Sequence, residues 1–436
     1  MRILHLSPHL GGGVGRVLLN YLGRIADGGH HLVLCCLDRV NDQAWDRARA
    51  LGLELHDRQW WNRADLERRV AEADLVVVHW WNHPLLYAWL AGGFHQPARV
   101  MLWSHVAGFH APQIISPLLA AWPDLFVVAT PKSFEVPALA GPKAEGRLRL
   151  VFSCAGLEHV AEAAPRPHPG FRVGYLGTVD YIKLHPDFLA MSLAAGLEGA
   201  GFPVAGGPQE AQLAREAEAL GAGRIFEFLG PIDDVPGFLS SLDVFGYPLN
   251  PTHYGTGEQA LIEAQAAGAP PVVLAGGSEE YVVEDGRTGL VAADAAEYAR
   301  HLRLMWTDGD LRRRLSAQAA ERARERFSLD RTVQAFEDLY QELSSRPKWL
   351  RSWPGPHPEE GGRELSPFEL FCLSQGPELG PAYARAEAGG PAERAELLAG
   401  LNEGAWAETR GSAFHYHSFF PGDPRLARLL KILRPE

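Results

Sequence analysis

The 436-residue chain is poor in sulfur-containing residues and has no long apolar run. Its four cysteines (Cys35, Cys36, Cys154 and Cys372) lack the paired spacing of a metal site, and Cys35 and Cys36 point to opposite faces of a predicted strand. This cysteine usage predicts a reduced chain, not a disulfide scaffold. No stretch approaches the roughly 20 apolar residues of a membrane-spanning helix, and MRILHLSPHL lacks the apolar region of a signal peptide. We expect a cytoplasmic protein and leave peripheral membrane contact open.

Basic residues are also fewer than acidic residues. The chain has 41 Lys and Arg residues against 53 Asp and Glu residues, which gives a formal net charge of −12. This balance argues against a general nucleic-acid-binding protein, so we expect no nucleic-acid partner. A hydrophobic content of 46% is enough for well-formed cores, and the length predicts two domains with an additional part.

Short apolar runs alternate with helix-forming segments through residues 1–160. The first run, Arg2–Ser7, leads into the loop Pro8–Gly13 with its three consecutive glycines, and a helix is predicted to follow. Nucleotide-binding proteins use this strand, Gly-rich loop and helix unit, although such a loop alone is a weak signal. The alternation predicts a parallel sheet with helices on both faces, and therefore an α/β fold.

Histidines gather where the predicted strands end, at the edge where open parallel sheets bind ligands. They are His9, His79, His83, His105 and His110. His105 is the strongest candidate because it directly follows a strand, in WSHVAGFH. For any single histidine, a structural or surface role is the plainer alternative, and no HxH or HxxxH pair supports a metal site.

The Pro-rich segment 161–170, AEAAPRPHPG, is the predicted linker between a domain of residues 1–160 and a second domain of residues 171–345. The strand and helix pattern restarts at Phe171. Residues 346–436 differ in composition and form a C-terminal appendage, with helix-like pieces at Pro367–Leu373 and Ala392–Leu401. The appendage could pack on the domains, mediate oligomerisation or recognise an acceptor, and the sequence does not separate these roles.

Residues 253–273, HYGTGEQALIEAQAAGAPPVV, combine a Gly-broken loop with a helix that carries Glu258 and Glu263. Glycines before a helix start leave backbone N–H groups free, which suits a phosphate. A carboxylate about one turn further on suits sugar or ribose hydroxyls. An ordinary loop, helix and strand with solvated carboxylates is the alternative interpretation.

The order of these motifs resembles the retaining group 1 (family 4-like) glycosyltransferases of the GT-B fold, over residues 1–343. The motifs are GGGVGR, GYLGTVDYIK, the GGP turn at Gly206–Pro208, EQALIEAQAAGAPPVV and GGSEEYVVEDGRTGLV. The resemblance implies two Rossmann-like domains facing each other across a cleft, with late helices crossing back to the first. It also implies sugar transfer from a nucleoside diphosphate sugar, with retained configuration and without a metal or other cofactor. The acceptor (a glycan, a lipid-linked or a small molecule) and the oligomeric state stay open.

The resemblance also assigns site residues. It implies that Lys183 binds the donor phosphates and stabilises the leaving group, that Glu263 binds ribose hydroxyls, and that His105 lies near the reacting sugar. Lys183, His105 and Glu258 are the catalytic candidates. The donor-binding candidates are Gly12, Gly13, Gly177, Thr178, Thr256, Gly257, Glu258, Gln259 and Glu263.

Two positions depart from the family pattern. Tyr175 occupies the place of a common Arg, and Gly255 occupies the place of the first of two paired Glu residues. We expect Glu258 to turn towards the sugar hydroxyls instead, while Thr256 and the N–H groups of residues 257–259 meet the diphosphate. The departures keep open an inactive GT-B module that binds a nucleotide or glycan. A GT-B phosphorylase or epimerase that shares the fold is a further alternative.

Overall fold

The computed structural model describes residues 1–92, 96–161, 166–256, 258–351, 363–401 and 410–434. Part of the predicted linker (162–165), the candidate Gly257 and most of the Pro- and Gly-rich start of the appendage lie outside the described residues. The chain forms two compact units, Met1–Phe152 with Thr332–Glu436, and Ser153–Arg331.

The first unit is built on a seven-stranded parallel sheet of order β3-β2-β1-β4-β5-β6-β7. Its strands are β1 (Arg2–Ser7), β2 (His31–Cys36), β3 (Glu54–His56), β4 (Leu75–Trp80), β5 (Val100–Ser104), β6 (Leu125–Val128) and β7 (Leu148–Leu150). Every residue of β4 and β5 is buried, as expected for central strands covered by helices on both faces. The strand order reverses between β1 and β4, which is the ligand-binding position of such sheets.

Helices from both ends of the chain cover this sheet. They are α1 (Gly12–Ile25), α2 (Asp42–Ala50), α3 (Arg63–Glu72), α4 (Pro84–Ala91), α5 (Pro117–Ala121), α6 (Ala140–Ala144) and most of α14 (Leu329–Ser344). The apolar stripe of α14 is buried because Phe336 packs on Trp103, with ring centroids 4.3 Å apart. One turn further on, the hydroxyl of Tyr340 lies 2.5 Å from that of Tyr21 in α1.

The described part of the appendage also belongs to the first unit. It contains α15 (Pro367–Ser374), α16 (Gly376–Ala388), α17 (Pro391–Gly400), α18 (Ala413–Phe419) and α19 (Pro424–Leu433). Before these helices, the fully buried Arg351 forms an ion pair with Asp124, and Trp349 donates from Nε1 to the same carboxylate at 2.7 Å. The helices α15 and α17 agree with the two helical pieces expected from the sequence.

The second unit repeats the plan with six parallel strands in the order β10-β9-β8-β11-β12-β13. The strands are β8 (Phe171–Leu176), β9 (Ala200–Ala205), β10 (Phe226–Gly230), β11 (Val244–Tyr247), β12 (Pro271–Leu274) and β13 (Leu290–Ala292). The helices are α7 (Glu158–Ala161), α8 (Phe188–Ala194), α9 (Glu210–Ala219), α10 (Val235–Leu239), α11 (Gln259–Ala266), α12 (Ala295–Thr307) and α13 (Gly309–Arg326). The predicted α/β fold with two Rossmann-like parallel sheets is confirmed.

In the part of the chain that the structure describes, no helix combines the length and apolar character needed to cross a bilayer.

Candidate active site

The second unit gathers its polar side chains where β8, β11 and β12 end, around the position at which its strand order reverses. Lys183 lies in the loop after β8, Glu258 closes the loop after β11, and Glu279 lies in the turn after β12. Three loops from neighbouring strands therefore build one site.

The backbone around Lys183 is fixed from two sides. The Oδ1 atom of Asp180 accepts hydrogen bonds from the backbone N–H groups of Ile182 and Lys183, each at 3.1 Å. The N–H of Asn250 donates to the carbonyl of Lys183 at 2.8 Å, and the Asn250 side chain donates to the carbonyl of Tyr181 at 2.6 Å. The lysine is thus positioned by main-chain contacts that leave its ammonium group available for charge interactions.

Glu258 is the buried counter-ion of Lys183. Its Oε2 atom lies 3.2 Å from Nζ of Lys183 and accepts a 2.7 Å hydrogen bond from the Tyr247 hydroxyl. Burial alone would raise the pKa of Glu258, but Lys183, His253 and the hydrogen bonds from Tyr247 and Lys183 outweigh it and lower the pKa to about 2. The carboxylate is therefore ionised throughout the physiological range. Lys183 keeps 20% of its side chain exposed, so the ammonium can also meet a ligand.

The backbone of Glu258 adopts a conformation that usually favours glycine. Its φ of 40° and ψ of 57° lie in the left-handed region, at the residue that caps the N-terminus of α11. Such a conformation costs a non-glycine residue about 1–3 kcal/mol, and residues of this kind cluster at functional sites. The conformation turns the carboxylate towards residue 255, where a Cβ atom would collide with Oε1 of Glu258 and Cε1 of His253. Gly255 therefore provides the space that the Glu258 carboxylate occupies.

Glu279 is a second buried carboxyl group of the site, with 4% of the residue exposed. Burial first, and then repulsion by the Glu258 carboxylate, raise its pKa to about 8. Glu279 is therefore largely protonated at pH 7, and it borders a small cavity of about 110 Å³ together with His185 and Gly277. Two carboxyl groups of opposite protonation state thus flank the lysine loop.

Glu263 lies on a different part of α11 and has different partners. Its Oε1 atom accepts a hydrogen bond from Gln259 at 3.1 Å and lies 3.0 Å from Nε2 of His159. Gln259 in turn accepts from the backbone N–H of Ala155 at 2.9 Å. These contacts fix the orientation of the Glu263 carboxylate, whose side chain is 3% exposed.

Three further donor-binding candidates lie in the same unit. The N–H of Gly177 donates to the carbonyl of Ala205, and the carbonyl of Thr178 accepts a 2.8 Å hydrogen bond from the hydroxyl of Tyr175. Thr256 is buried. Tyr175, at the position of the family arginine, is 1% exposed and stacks on Tyr247, so it supplies no charge to the site.

The remaining candidates, Gly12, Gly13 and His105, belong to the first unit. Gly12 and Gly13 form the first turn of α1, whose N-terminus has no side-chain cap. A Cβ on Gly12 would lie 4.0 Å from Nη2 of Arg410, an exposed cation of the appendage. Among the described residues, and apart from its chain neighbours and the backbone of α1, no heavy atom lies within 4 Å of a Cβ on Gly13. The uncapped start of α1 therefore lies near a guanidinium group.

His105 ends a hydrogen-bonded histidine chain that consists of His5, His79 and His105. The Nδ1 atom of His5 lies 3.1 Å from Nε2 of His79, and Nδ1 of His79 lies 3.0 Å from Nε2 of His105. All three are buried, and burial lowers the pKa of His5 and His105 to about 3 and lowers that of His79 well below its ordinary value. At neutral pH each link must pair one N–H with one lone pair, so the tautomers of the three rings are coupled.

Several site residues were not identified from the sequence. Tyr247, His253, Glu279 and His159 are found through their contacts in the folded chain. For Glu279 the sequence does contain a signal, because the Glu279-Glu280 pair follows two glycines and a serine just after a predicted strand. In the described ranges, no group of three or more His, Cys, Asp or Glu side chains is arranged to hold a metal ion.

Comparison with known proteins places this geometry in context. Residues 189–322 match the family model "Glycosyl transferases group 1". The D-inositol 3-phosphate glycosyltransferase of Streptomyces bingchenggensis is 32% identical over 163 residues, which cover 35% of this chain and 35% of that protein. The same enzyme from Salinispora tropica is 31% identical over 193 residues, with 40% and 39% covered. The matched segment thus spans little more than a third of each of these two relatives.

Solved structures match over a larger share of the chain. HepE from Anabaena, in complex with UDP and glucose, superposes with a TM-score of 0.63 at 16% identity, covering 78% of this chain and 100% of HepE. Sucrose-phosphate synthase from Thermosynechococcus elongatus gives a TM-score of 0.61 at 16% identity, covering 79% and 99%. The chain therefore has the GT-B fold of glycosyltransferases, and its residues 189–322 carry the sequence pattern of group 1 glycosyl transferases.

Proposed function

We propose that the chain is a retaining glycosyltransferase that takes a sugar from a nucleoside diphosphate donor without a metal ion. The observation that carries the proposal is the Lys183–Glu258 pair at the point where the strand order of the second unit reverses. The group 1 pattern of residues 189–322, which include Glu258 and Glu263, supports it. The complexes of HepE with UDP and with UDP-glucose make UDP-glucose the first donor to test.

Lys183 has the chemistry needed to stabilise a leaving diphosphate. Negative charge grows on the diphosphate as the bond to the sugar breaks, and a preorganised ammonium in a partly dry site lowers the energy of that state. The N-terminus of α11 adds a partial positive charge at the same edge of the sheet. These groups supply the positive charge for which a metal would otherwise be needed.

Glu258 and Glu263 have complementary roles in the proposal. An incoming diphosphate competes with Glu258 for Lys183, which frees the Glu258 carboxylate to accept hydrogen bonds from sugar hydroxyls. Glu263, held by Gln259 and His159, presents its carboxylate to the ribose hydroxyls. For His105, Gly12 and Gly13 of the first unit, we keep the roles that the family resemblance implies.

In the proposed mechanism, the configuration is retained because the acceptor hydroxyl attacks the anomeric carbon from the same face that the diphosphate leaves. An oxygen of the departing phosphate takes the proton of the acceptor hydroxyl while that hydroxyl oxygen bonds to the anomeric carbon. The step needs a positioned diphosphate more than a protein base, so no dedicated nucleophile is required. The acceptor is a glycan, a lipid-linked sugar or a small molecule.

The experiment is incubation of the full chain with a panel of nucleoside diphosphate sugars and mixed acceptors, followed by measurement of released nucleotide. We expect release with at least one donor, and NMR of the product should show the anomeric configuration of the donor. Tight nucleotide binding without turnover on any donor would instead support the inactive module, which the substitutions at Tyr175 and Gly255 keep as the second candidate.

A further inference from the structure

The start of α18 is fixed at the carboxyl edge of the first sheet, against the loop that follows β4. The buried Asn82 of this loop accepts a hydrogen bond from the Tyr416 hydroxyl at 3.0 Å. Gln113, which is also buried, donates from Nε2 to the carbonyl of Arg410 at 2.6 Å. Gly411 has a φ of 84°, and a Cβ at this position would lie 2.9 Å from the Asn82 side chain. The backbone at Arg410 is therefore held by buried polar contacts, which fix the start of its side chain.

The guanidinium of Arg410 lies beside the start of α1. A Cβ on Gly12 would lie 4.0 Å from its Nη2 atom, and a Cβ on Gly11 would lie 3.6 Å from Nδ1 of His9. Arg410 is exposed, and in the described part of the chain no carboxylate forms an ion pair with it. The N-terminus of α1, which has no side-chain cap, adds partial positive charge at the same place. This corner of the first unit is therefore electropositive.

Two histidines near Arg410 each keep one ring nitrogen available. The rings of His83 and His415 pack edge to face, with centroids 4.9 Å apart. Nδ1 of His83 accepts a hydrogen bond from the N–H of Leu85 at 3.3 Å, and Nδ1 of His415 accepts from the N–H of Gly411 at 2.9 Å. Since a neutral ring has a single N–H, both histidines carry their proton on Nε2. Among the described residues, neither of these Nε2–H groups has a hydrogen-bond acceptor.

Both rings are neutral at physiological pH. Burial first, and then Arg410 and His9, lower the pKa of His415 to about 4. Burial lowers the pKa of His83 well below its ordinary value, and His415, His9 and Arg410 add to the effect. His83 is only 1% exposed, and an N–H donor without an acceptor at such a depth costs free energy. A ligand that accepts from this N–H would remove that cost.

A phosphate group fits this set of donors. The guanidinium supplies the positive charge, and the two neutral imidazoles supply directed N–H groups from the appendage and from the loop after β4. A bound phosphate group presents up to three oxygens, so it can accept from all three side chains at once, whereas a carboxylate presents two.

We propose that the appendage completes a phosphate-binding site of the first unit, in which Arg410, His83 and His415 donate to one phosphate group. The site is separate from the Lys183 site of the second unit, and phosphate binding does not depend on glycosyl transfer. The identity of the substrate that carries the phosphate does rest on the proposed function: it is the diphosphate of the donor or a phosphate on the acceptor.

The test is ¹⁵N–¹H NMR of the histidine side chains while the full-length protein is titrated with inorganic phosphate. We expect the Nε2–H signals of His83 and His415 to shift saturably, and acetate at the same ionic strength to leave them in place. Arg410→Met should weaken phosphate binding at this site at least about tenfold, because the guanidinium contact is charge-assisted. Lys431→Met, at an exposed lysine of the appendage, is the matched control and should bind like the wild type.

Two histidine variants remove the imidazole donors and keep the local hydrogen bonds. In His415→Asn the side-chain carbonyl can still accept from the N–H of Gly411, and in His83→Asn it can still cap the start of α4. Neither variant has an Nε2–H at that position. Each should weaken phosphate binding at least about threefold, measured on the signal of the remaining histidine.

Titration with UDP separates the two sources of the phosphate. If the donor diphosphate occupies the site, UDP shifts the same two signals and binds more weakly to Arg410→Met. If an acceptor phosphate occupies it, UDP leaves the signals in place, and inorganic phosphate still shifts them in the presence of UDP. Both outcomes support the proposal.

The proposal is overturned if phosphate causes no saturable shift, if acetate causes the same shift, or if Arg410→Met binds phosphate like the wild type. Because this assay contains no nucleotide sugar, Lys183→Met/Glu258→Gln should keep the phosphate response. Failure of the phosphate site is therefore distinguishable from failure of the proposed glycosyl transfer.

Discussion

The ammonium of Lys183 lies 3.2 Å from the carboxylate of Glu258, whose side chain is only 2% exposed. Without a ligand, the cation proposed to hold the donor diphosphate is therefore neutralised by the protein itself. An anionic ligand that binds Lys183 competes with this carboxylate. The pair thus links the stability of the second unit to the occupancy of its site.

A double-mutant cycle should detect this pair. Lys183→Met leaves the buried Glu258 carboxylate without its cation and should lower the free energy of unfolding by about 3–5 kcal/mol. In the Lys183→Met/Glu258→Gln variant neither charge remains, so we expect a loss smaller than the sum of the two single losses by about 1–3 kcal/mol. Urea unfolding of the four proteins measures the difference. If the loss in the double variant equals the sum of the two single losses, the two side chains do not interact.

Gly255→Ala tests the space that the Glu258 carboxylate occupies. The added methyl would collide with Glu258 and His253, so we expect a loss of about 1–3 kcal/mol in unfolding free energy and weaker nucleotide binding. Gly201→Ala is the matched control, because no heavy atom of the described residues, other than its chain neighbours, lies within 4 Å of a Cβ at that position. If calorimetry gives both variants the same nucleotide affinity, the carboxylate does not depend on this space.

Glu279 should make stability fall as pH rises. Its pKa of about 8 exceeds the ordinary 4.5, so the folded chain keeps a proton that the unfolded chain releases between these values. The contribution of this bound proton to the free energy of unfolding is fully present below about pH 4.5. It is lost as pH rises through 8, and the free energy of unfolding falls by up to about 1.4 kcal/mol per pH unit. The difference in unfolding free energy between wild type and Glu279→Gln, measured from pH 5 to 8, isolates this effect. A constant difference would mean that Glu279 is ionised throughout.

The histidine chain should remain neutral and share its tautomers. Because burial lowers the pKa of all three rings, none should take up a proton between pH 5 and 8, and the folded chain should lose stability as pH falls below about 6.5. Long-range ¹⁵N–¹H NMR spectra show which nitrogen of each ring carries the proton.

His79→Phe removes both links of the chain and should change the tautomer of His105, while the signals of the exposed His31 stay unchanged. Chemical shifts of a protonated His105 ring at pH 6 would contradict the neutral state of the chain. A His105 tautomer that is the same in the wild type and in His79→Phe would contradict the coupling.

The sheets follow from the sequence because buried parallel strands read as short apolar runs, as in β4 and β12. β4 continues past its apolar residues to Trp80 because His79 pairs in register with Trp103 and its ring finds partners in His5 and His105. A polar residue inside a strand is accommodated by contacts that only the fold creates.

The site was predictable as a set of residues but not as an arrangement. Lys183 and Glu258 could be named from motifs, whereas their pairing depends on a left-handed backbone at Glu258 and on the absence of a side chain at Gly255. The unusual pKa of Glu279 depends on burial, which a turn rich in Gly and Glu does not reveal.

The most direct test is nucleotide release from UDP-glucose, or from the best donor of the panel, by the wild type and by Lys183→Met/Glu258→Gln. The double variant avoids an unpaired buried charge, and Lys143→Met, at an exposed lysine of the first unit, is the control. We expect the control to match the wild type and the double variant to lose at least about 100-fold in kcat while it melts cooperatively. Unchanged turnover in the folded double variant would contradict the assignment of the active site.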